Sequence, residues 1–328
     1  MGMRELRLLS VVAPMLDEQE LAREFHRRVS AALERVPFEL VIVDDGSSDS
    51  TPGILDEIAA ADGRVRVLHL SRPFGHQLAL TAGLDHAAGD VVVTIDADLQ
   101  DPPELIPELL ERWRAGADIV VAKRRVRAGE TRFKLATASA FYRVAGKLAQ
   151  VDLDRDAGDF RLFDRAPLDA LLSLRERSRY LRGLSAWVGF RRDVVEYDRE
   201  ARGAGETKYP LRRMVRFALD GVTSFSHVPL QLATLLGFAM AAIALIGVPL
   251  TIVARYAGIY ERGVPSVLFA VLLIGGIQLV TLGLIGEYVG RIYDEVKQRP
   301  LYVVREARNV DADAGARAVV RGATGEEA

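Results

Sequence analysis

Two long stretches near the C-terminus carry no charge: neither Gly221 to Ala254 nor Val264 to Gly286 contains Asp, Glu, Lys or Arg. Elsewhere charge is dense, reaching 27% of the 328 residues overall. Each stretch exceeds the ~20 residues that an α-helix needs to cross a bilayer core. Membrane spans are therefore predicted near Leu230–Val253 and Ser266–Tyr288. Pro249 inside the first and Gly275-Gly276 inside the second are tolerated in such helices. The alternative, a buried hairpin in a large soluble core, is hard to reconcile with two charge-free runs joined by a short loop. That loop carries Arg255, Glu261 and Arg262, whereas the outer flanks carry Arg212, Arg213 and Arg216 on one side and Arg291, Lys297 and Arg299 on the other. The positive-inside rule puts both flanks in the cytoplasm. The expectation is a multi-pass protein of the inner or plasma membrane with a large cytoplasmic N-terminal part. The apolar run Leu8–Val12 is followed directly by Asp17-Glu18-Gln19-Glu20, which reads as a strand rather than a signal peptide.

Composition narrows what that cytoplasmic part can do. Lys+Arg is 43 and Asp+Glu 45, so no global basic field recruits nucleic acid. Cysteine is absent, which excludes disulfides, thiolate metal sites and a cysteine nucleophile. Apolar, β-branched runs alternate with helical patterns. Strands are expected at Leu8–Ala13, Phe38–Asp44, Val65–His69, Asp90–Ile95 and Asp118–Ala122. Helices are expected at Glu18–Val36, Ser47–Ala61, Gly75–Ala87 and Pro103–Ala115. This is the pattern of an α/β domain built on a largely parallel sheet covered on both faces. Ligands bind such sheets beyond the C-terminal ends of the strands. Leu301–Val304, after Pro300, reads as a short strand returning to this domain.

Two acidic segments fall at that rim. Asp96-Ala97-Asp98-Leu99-Gln100-Asp101 sets hard oxygen donors directly after a strand, a donor set suited to Mg²⁺ or Mn²⁺ that also holds phosphates. Asp44-Asp45-Gly46-Ser47-Ser48-Asp49-Ser50-Thr51 follows another strand, where a carboxylate can accept a base N–H and its neighbours can meet ribose hydroxyls. Either segment alone could be a capped loop. Together they point to a nucleoside-diphosphate site.

The segments VVAPMLDEQE, IVDDGSSDST, SRPFGHQLALTAGLDHAAGD, TIDADLQDPPE, DAGDFRLFDR, GETKYP and IGEYVGRIYDEVKQRPLY, together with the apolar pair, resemble the polyprenyl-phosphate glycosyltransferases of glycosyltransferase family two. The resemblance runs to about Val304. It implies a GT-A-type, Rossmann-like nucleotide-sugar domain with a C-terminal two-helix transmembrane region. It also implies Mg²⁺ or Mn²⁺ as cofactor, a UDP-sugar or GDP-mannose as donor, a polyprenyl phosphate as acceptor, and a homo-oligomer. By this resemblance Pro14, Asp17 and Glu18 line the nucleotide pocket, although Leu16 and Asp17 depart from the family's aromatic and Asn. Asp44 and Asp45 hold base and ribose. Asp96, Asp98 and Gln100 form the metal and diphosphate site, with Asp98 counted as catalytic. Asp159 matches the catalytic position, its role open between base and positioning of Arg161 or the metal shell. Arg124, Arg202 and Lys208 face the phosphates of donor and acceptor. UDP-glucose is the default donor.

Physical chemistry asks for the same parts. Joining two phosphate-bearing reactants needs a cationic clamp, and Lys123 to Arg143 holds Lys123, Arg124, Arg125, Arg127, Arg132, Lys134 and Arg143 against Glu130. Arg199 to Arg216 is a second basic segment, in which Arg202 and Lys208 read as ligand residues and Arg212, Arg213 and Arg216 as attraction to anionic lipid. His76 starts a helix and either touches donor or caps locally. Trp113 and Trp187 read as packing residues outside the Gln-x-x-Arg-Trp motif of processive synthases, which favours transfer of a single sugar. Glu287 and Arg291 read as an interfacial ion pair. The expected organisation is a catalytic domain over 1–210, an amphipathic segment over 211–228, membrane helices over 229–290, a returning segment over 291–306 and a disordered tail over 307–328. A membrane scaffold keeping a glycosyltransferase fold, and a tethered enzyme acting on a soluble acceptor, are the competing readings.

Overall fold

The computed structural model describes residues 4–125, 157–177, 179–198, 228–257 and 264–310. Arg202, Lys208 and most of both basic segments lie outside them. The chain separates into two compact units.

The first unit is built on one eight-stranded sheet. Its strands are β1 (Leu9–Met15), β2 (Phe38–Asp44), β3 (Val65–Leu70), β4 (Val91–Thr94), β5 (Ile119–Arg124), β6 (Ala157–Asp164), β7 (Arg192–Tyr197) and β8 (Val304–Arg308), in the order β7-β5-β6-β4-β1-β2-β3-β8. The centre is what the apolar runs demand. All seven residues of β1 and all seven of β2 are buried, because a parallel strand between two helical layers has no solvent face. Helices α1 (Ala22–Ala32), α2 (Thr51–Ala61), α3 (His76–His86), α4 (Ile106–Arg114), α5 (Arg165–Ser173) and α6 (Leu181–Trp187) complete this unit. In α1 the buried residues Ala22, Phe25 and Val29 recur at helical spacing. Helix α3 lies so close to the sheet that a Cβ at Gly83 would overlap Val12.

The sheet is mixed rather than largely parallel. β1 pairs in parallel with β2 and β4, and β2 with β3, but β6 runs antiparallel between β4 and β5. Its sequence AGDFRLFD alternates two environments: Phe160 and Leu162 enter the main core, while Asp159, Arg161 and Phe163 line a small space with Leu80, Leu84, Leu171 and Leu181. The buried acid and base disguise it as a loop in any search for apolar runs.

The returning strand lies slightly later than expected. Pairing with β3 is antiparallel and begins at Val304 opposite Leu70. Before it, the Tyr302 hydroxyl donates to Asp85 Oδ2 at 2.8 Å and the Ser71 N–H to Val303 O at 2.9 Å. Ala307 and Arg308, expected to open the tail, belong to β8, and the Asn309 amide donates to Ala59 O and Val65 O, both at 2.8 Å.

The second unit holds α7 (Val228–Tyr256) and α8 (Val264–Val296). Within α8, Leu273–Val296 is long and apolar enough to cross a membrane, and among the described residues it is the one stretch that meets both conditions. Leu279, Val280 and Leu282 on it are exposed. Arg291 Nη2 lies 3.1 Å from Glu287 Oε1, the expected pair at i,i+4.

Candidate active site

Strand direction assembles the site. β1, β2, β3 and β4 are parallel, so Met15, Asp44, Leu70 and Thr94 end at one edge of the sheet. β6 runs the other way, so its first residues reach that same edge, with Arg161 opposite Thr94. Asp159 thereby meets the loop after β4, which is distant in sequence.

Asp159 is buried at the centre of a converging set. Arg182 from α6 binds it with both arms, Nε to Oδ1 at 2.9 Å and Nη2 to Oδ2 at 3.0 Å. Gln77 Nε2 donates to Oδ2 at 3.1 Å, and His76 Nε2 lies 3.2 Å from the same oxygen. Burial works to raise the Asp159 pKa, but the bonds from His76 and Arg182 and the Arg182 charge outweigh it and hold the carboxyl well below the usual range. Such a carboxylate is a poor proton acceptor and a good anchor for cationic donors. Arg161 does not pair with it. Its guanidinium donates to Gly158 O, Arg182 O and Ser185 Oγ, which pins the helix that presents Arg182.

His76 bridges the two acidic elements, since its Nε2 also lies 3.5 Å from Asp96 Oδ1. The ring thus links the two acids rather than capping the helix locally. Asp96 Oδ1 is buried without a hydrogen-bond partner. Burial, reinforced by the charges of Asp159, Asp101 and Asp98 and opposed by His76, pushes the Asp96 pKa up to about 6. Asp98 Oδ1 accepts the Gln100 N–H at 3.1 Å, and Leu99 between them sits at φ 57°, a left-handed conformation rare for a branched side chain. Gln100 is buried. Asp101 is fully buried and takes the Tyr197 hydroxyl on Oδ1 and Arg124 Nη2 at 3.3 Å on Oδ2. Arg124 Nε also donates to the Tyr197 hydroxyl at 3.2 Å. Arg124 is therefore tied to the end of the acidic loop.

The loop after β2 has the opposite character. Asp44 is fully buried; its Oδ1 accepts the Ser47 N–H at 2.9 Å and its Oδ2 lies 2.8 Å from His69 Nδ1. Asp45 accepts the N–H groups of Phe74 at 2.7 Å and Gly75 at 2.8 Å, which fixes the entry to α3 just before His76. Gly46 at φ 75° has no room for a side chain, since a Cβ would stand 2.7 Å from the Arg72 carbonyl carbon. Pro14 is buried in β1. Asp17, at φ 54°, accepts the Ser48 N–H on Oδ1 at 2.8 Å and donates its own N–H to Ser47 Oγ at 2.9 Å. The Glu18 N–H donates to Thr51 Oγ1 at 2.9 Å. The structure thus brings Asp17, Glu18, Asp44 and Asp45 together in one cradle, and Asp96, Asp98 and Asp159 around another. Arg182 and Tyr197 went unnoticed in the sequence, and Gln77 beside His76 had no role assigned, because their partners lie far along the chain and no local motif flags them.

Among the described residues no group of three acidic or histidine side chains forms a ready-made metal centre. The orphaned, charge-crowded Asp96 oxygen nevertheless suits a divalent cation held by few carboxylates and completed by phosphates.

An α/β sheet with acidic residues beyond the C-terminal ends of its parallel strands offers a polar ligand site, and sequence similarity makes the class specific. Residues 10–172 match the profile of glycosyl transferase family 2, and the chain belongs to that family; it is a glycosyltransferase. It is 44% identical over 305 residues to the uncharacterized glycosyltransferase YkcC of Bacillus subtilis, covering 92% of this chain and 94% of that one. It is 42% identical to the SfII prophage-derived bactoprenol glucosyl transferase of Shigella flexneri, covering 91% and 98%. Among solved structures, glucosyl-3-phosphoglycerate synthase from Mycobacterium tuberculosis aligns at 24% identity and a TM-score of 0.46, over 66% of this chain and 79% of that one.

Proposed function

We propose that this glycosyltransferase moves one sugar from a nucleotide sugar, UDP-glucose by default, to the phosphate of a polyprenyl phosphate at the cytoplasmic membrane face. The observation that carries the reading is the juxtaposition of Asp159, held by Arg182, His76 and Gln77, with the unsatisfied Asp96 at one sheet edge. Relatives described as bactoprenol glucosyl transferases, 42% identical over nine-tenths of the chain, support the acceptor and the sugar. The second candidate donor is GDP-mannose.

The transfer is a single displacement with inversion. An acceptor phosphate oxygen forms the new bond to the anomeric carbon as the nucleoside diphosphate leaves. A phosphate monoester with a second pKa of about 6 is largely ionised at neutral pH and needs no strong base. Asp159, with its lowered pKa, accordingly orients Arg182 and His76 rather than taking a proton. Asp96 and Asp98 would hold Mg²⁺ or Mn²⁺, which neutralises charge on the leaving diphosphate. Arg202 and Lys208 are proposed to bind phosphate. The two apolar helices act as an anchor, and the positive flanks place the catalytic domain on the cytoplasmic side.

The test is transfer from a panel of radiolabelled nucleotide sugars to undecaprenyl phosphate in detergent, with Mg²⁺ or Mn²⁺ and with EDTA. Label should enter the organic phase from one donor and be lost with EDTA. Label passing only to a water-soluble acceptor would overturn the reading.

A further inference from the structure

His69 lies on β3 opposite Asp44, and it is buried to 1% exposure. Both of its ring nitrogens meet carboxylates: Nδ1 stands 2.8 Å from Asp44 Oδ2 and Nε2 stands 3.1 Å from Asp56 Oδ1. An ionised carboxylate only accepts hydrogen bonds, and a neutral imidazole has one N–H to give. Both contacts are satisfied together when the ring is an imidazolium. Asp56 in turn is clasped by Arg308 of β8, with Nε 3.1 Å from Oδ1 and Nη2 3.2 Å from Oδ2. Glu306 of the same strand accepts from Arg308 Nη2 at 2.9 Å. Charge therefore alternates along a line from β8 through α2 and β3 to β2: Arg308, Asp56, His69, Asp44. At its inner end Asp44 Oδ1 holds the Ser47 N–H, and Ser47 Oγ holds the Asp17 N–H at 2.9 Å.

We propose that His69, Asp56 and Arg308 are positioning residues for the donor site. They keep His69 doubly protonated and so hold Asp44 and the Ser47 turn in nucleotide-binding geometry, which makes the strand that follows the two long helices in sequence a working part of donor binding. The proposal rests on the reading of the Asp44 loop as the nucleotide cradle. The His69 pKa agrees with the geometry: burial works to lower it, but the bonds and charges of Asp44 and Asp56 prevail and raise it.

The test uses the full chain in detergent. Nitrogen-15 NMR of the histidines at pH 7, with signals assigned by their loss in His69→Gln, should find both ring nitrogens of His69 protonated. UDP titration and donor kinetics are then compared for the wild type, Arg308→Ala, Arg308→Lys and His69→Gln. Arg308 is partly exposed, so its variants test the idea even if His69→Gln folds poorly. Arg308→Ala should weaken UDP binding and raise the donor KM roughly threefold, the scale of one partly exposed ion pair, with kcat and acceptor KM unchanged. Arg308→Lys should restore most of this, and His69→Gln should lose tenfold or more by the cost of an uncompensated buried carboxylate, on the order of 1–2 decades. A neutral His69 ring, or UDP affinity unchanged in Arg308→Ala and His69→Gln, overturns the proposal while leaving the nucleotide cradle intact. A wild-type chain that binds neither UDP nor GDP overturns the cradle reading itself, and the proposal with it.

Discussion

The loops after β2 and β4 look alike in sequence, each a pair of aspartates closing a buried strand, yet they are left in opposite electrostatic states. After β2 every carboxylate is satisfied by the fold: Asp44 by Ser47 and His69, Asp45 by the backbone of Phe74 and Gly75. After β4 the fold leaves Asp96 Oδ1 without a hydrogen bond, with His76 at ion-pair distance and three more acids crowding it. A satisfied carboxylate can shape a cradle, whereas one that lacks a hydrogen bond suits a cation. On the proposed reading, the same residue type serves positioning in one loop and ligation in the other.

The largest expected effect lies after β4. Asp98→Asn should lower sugar transfer ~10²–10³-fold, the scale of losing a group that stabilises developing charge, with the fold intact by circular dichroism. Full metal-dependent transfer in this variant would collapse the distinction between the loops.

Stability separates them next. Asp44→Asn removes a buried negative charge and one of the two acceptor oxygens that serve Ser47 and His69, and should destabilise the protein by about 1–3 kcal/mol. Asp96→Asn relieves like-charge crowding and should leave the cation-free protein equally or more stable. Denaturant unfolding of both variants in EDTA measures the difference, and an equal loss in both would show that the two loops are alike.

Cation binding should sharpen the contrast. Mg²⁺ or Mn²⁺ at ten times its dissociation constant should stabilise the wild type by about 1.4 kcal/mol. The shift should vanish in Asp96→Asn and Asp98→Asn, and thermal melts with and without EDTA report it.

The smallest effect is a pH window. Burial works to raise the Asp44 pKa, but the bonds from His69 and Ser47 prevail and lower it below 3.8. A lowered carboxylate contributes stability that is present above its unfolded pKa and lost as pH falls through the folded one. The gap between wild type and Asp44→Asn should therefore hold from pH 7 down to about 4, the unfolded value, and close below it. Unfolding midpoints across that range test the sign.

Much of this was legible in the chain itself. The run FELVIVD is a strand with the bounds its pattern predicts, Phe38–Asp44, because its short length and β-branched residues favour a buried strand over a helix. The helix starts were read several residues early, at Glu18 and Ser47 rather than Ala22 and Thr51. The intervening residues instead bond each other across the cradle, as in Gln19 N–H to Asp49 Oδ2 at 3.3 Å. The acidic loops and the Asp159 motif were also visible as local words.

What sequence alone determined is which segments are apolar, which strands are buried and where the acids cluster, since these follow from local composition and spacing. Only tertiary structure decided that β6 runs antiparallel and so carries Asp159 to the rim, that Arg182 rather than Arg161 clasps it, and that Arg308 closes on Asp56 from 252 residues away. Strand direction and long-range ion pairs have no local signature. They are settled by which surfaces can be buried together and by the need of each buried charge for a partner, wherever in the chain that partner stands.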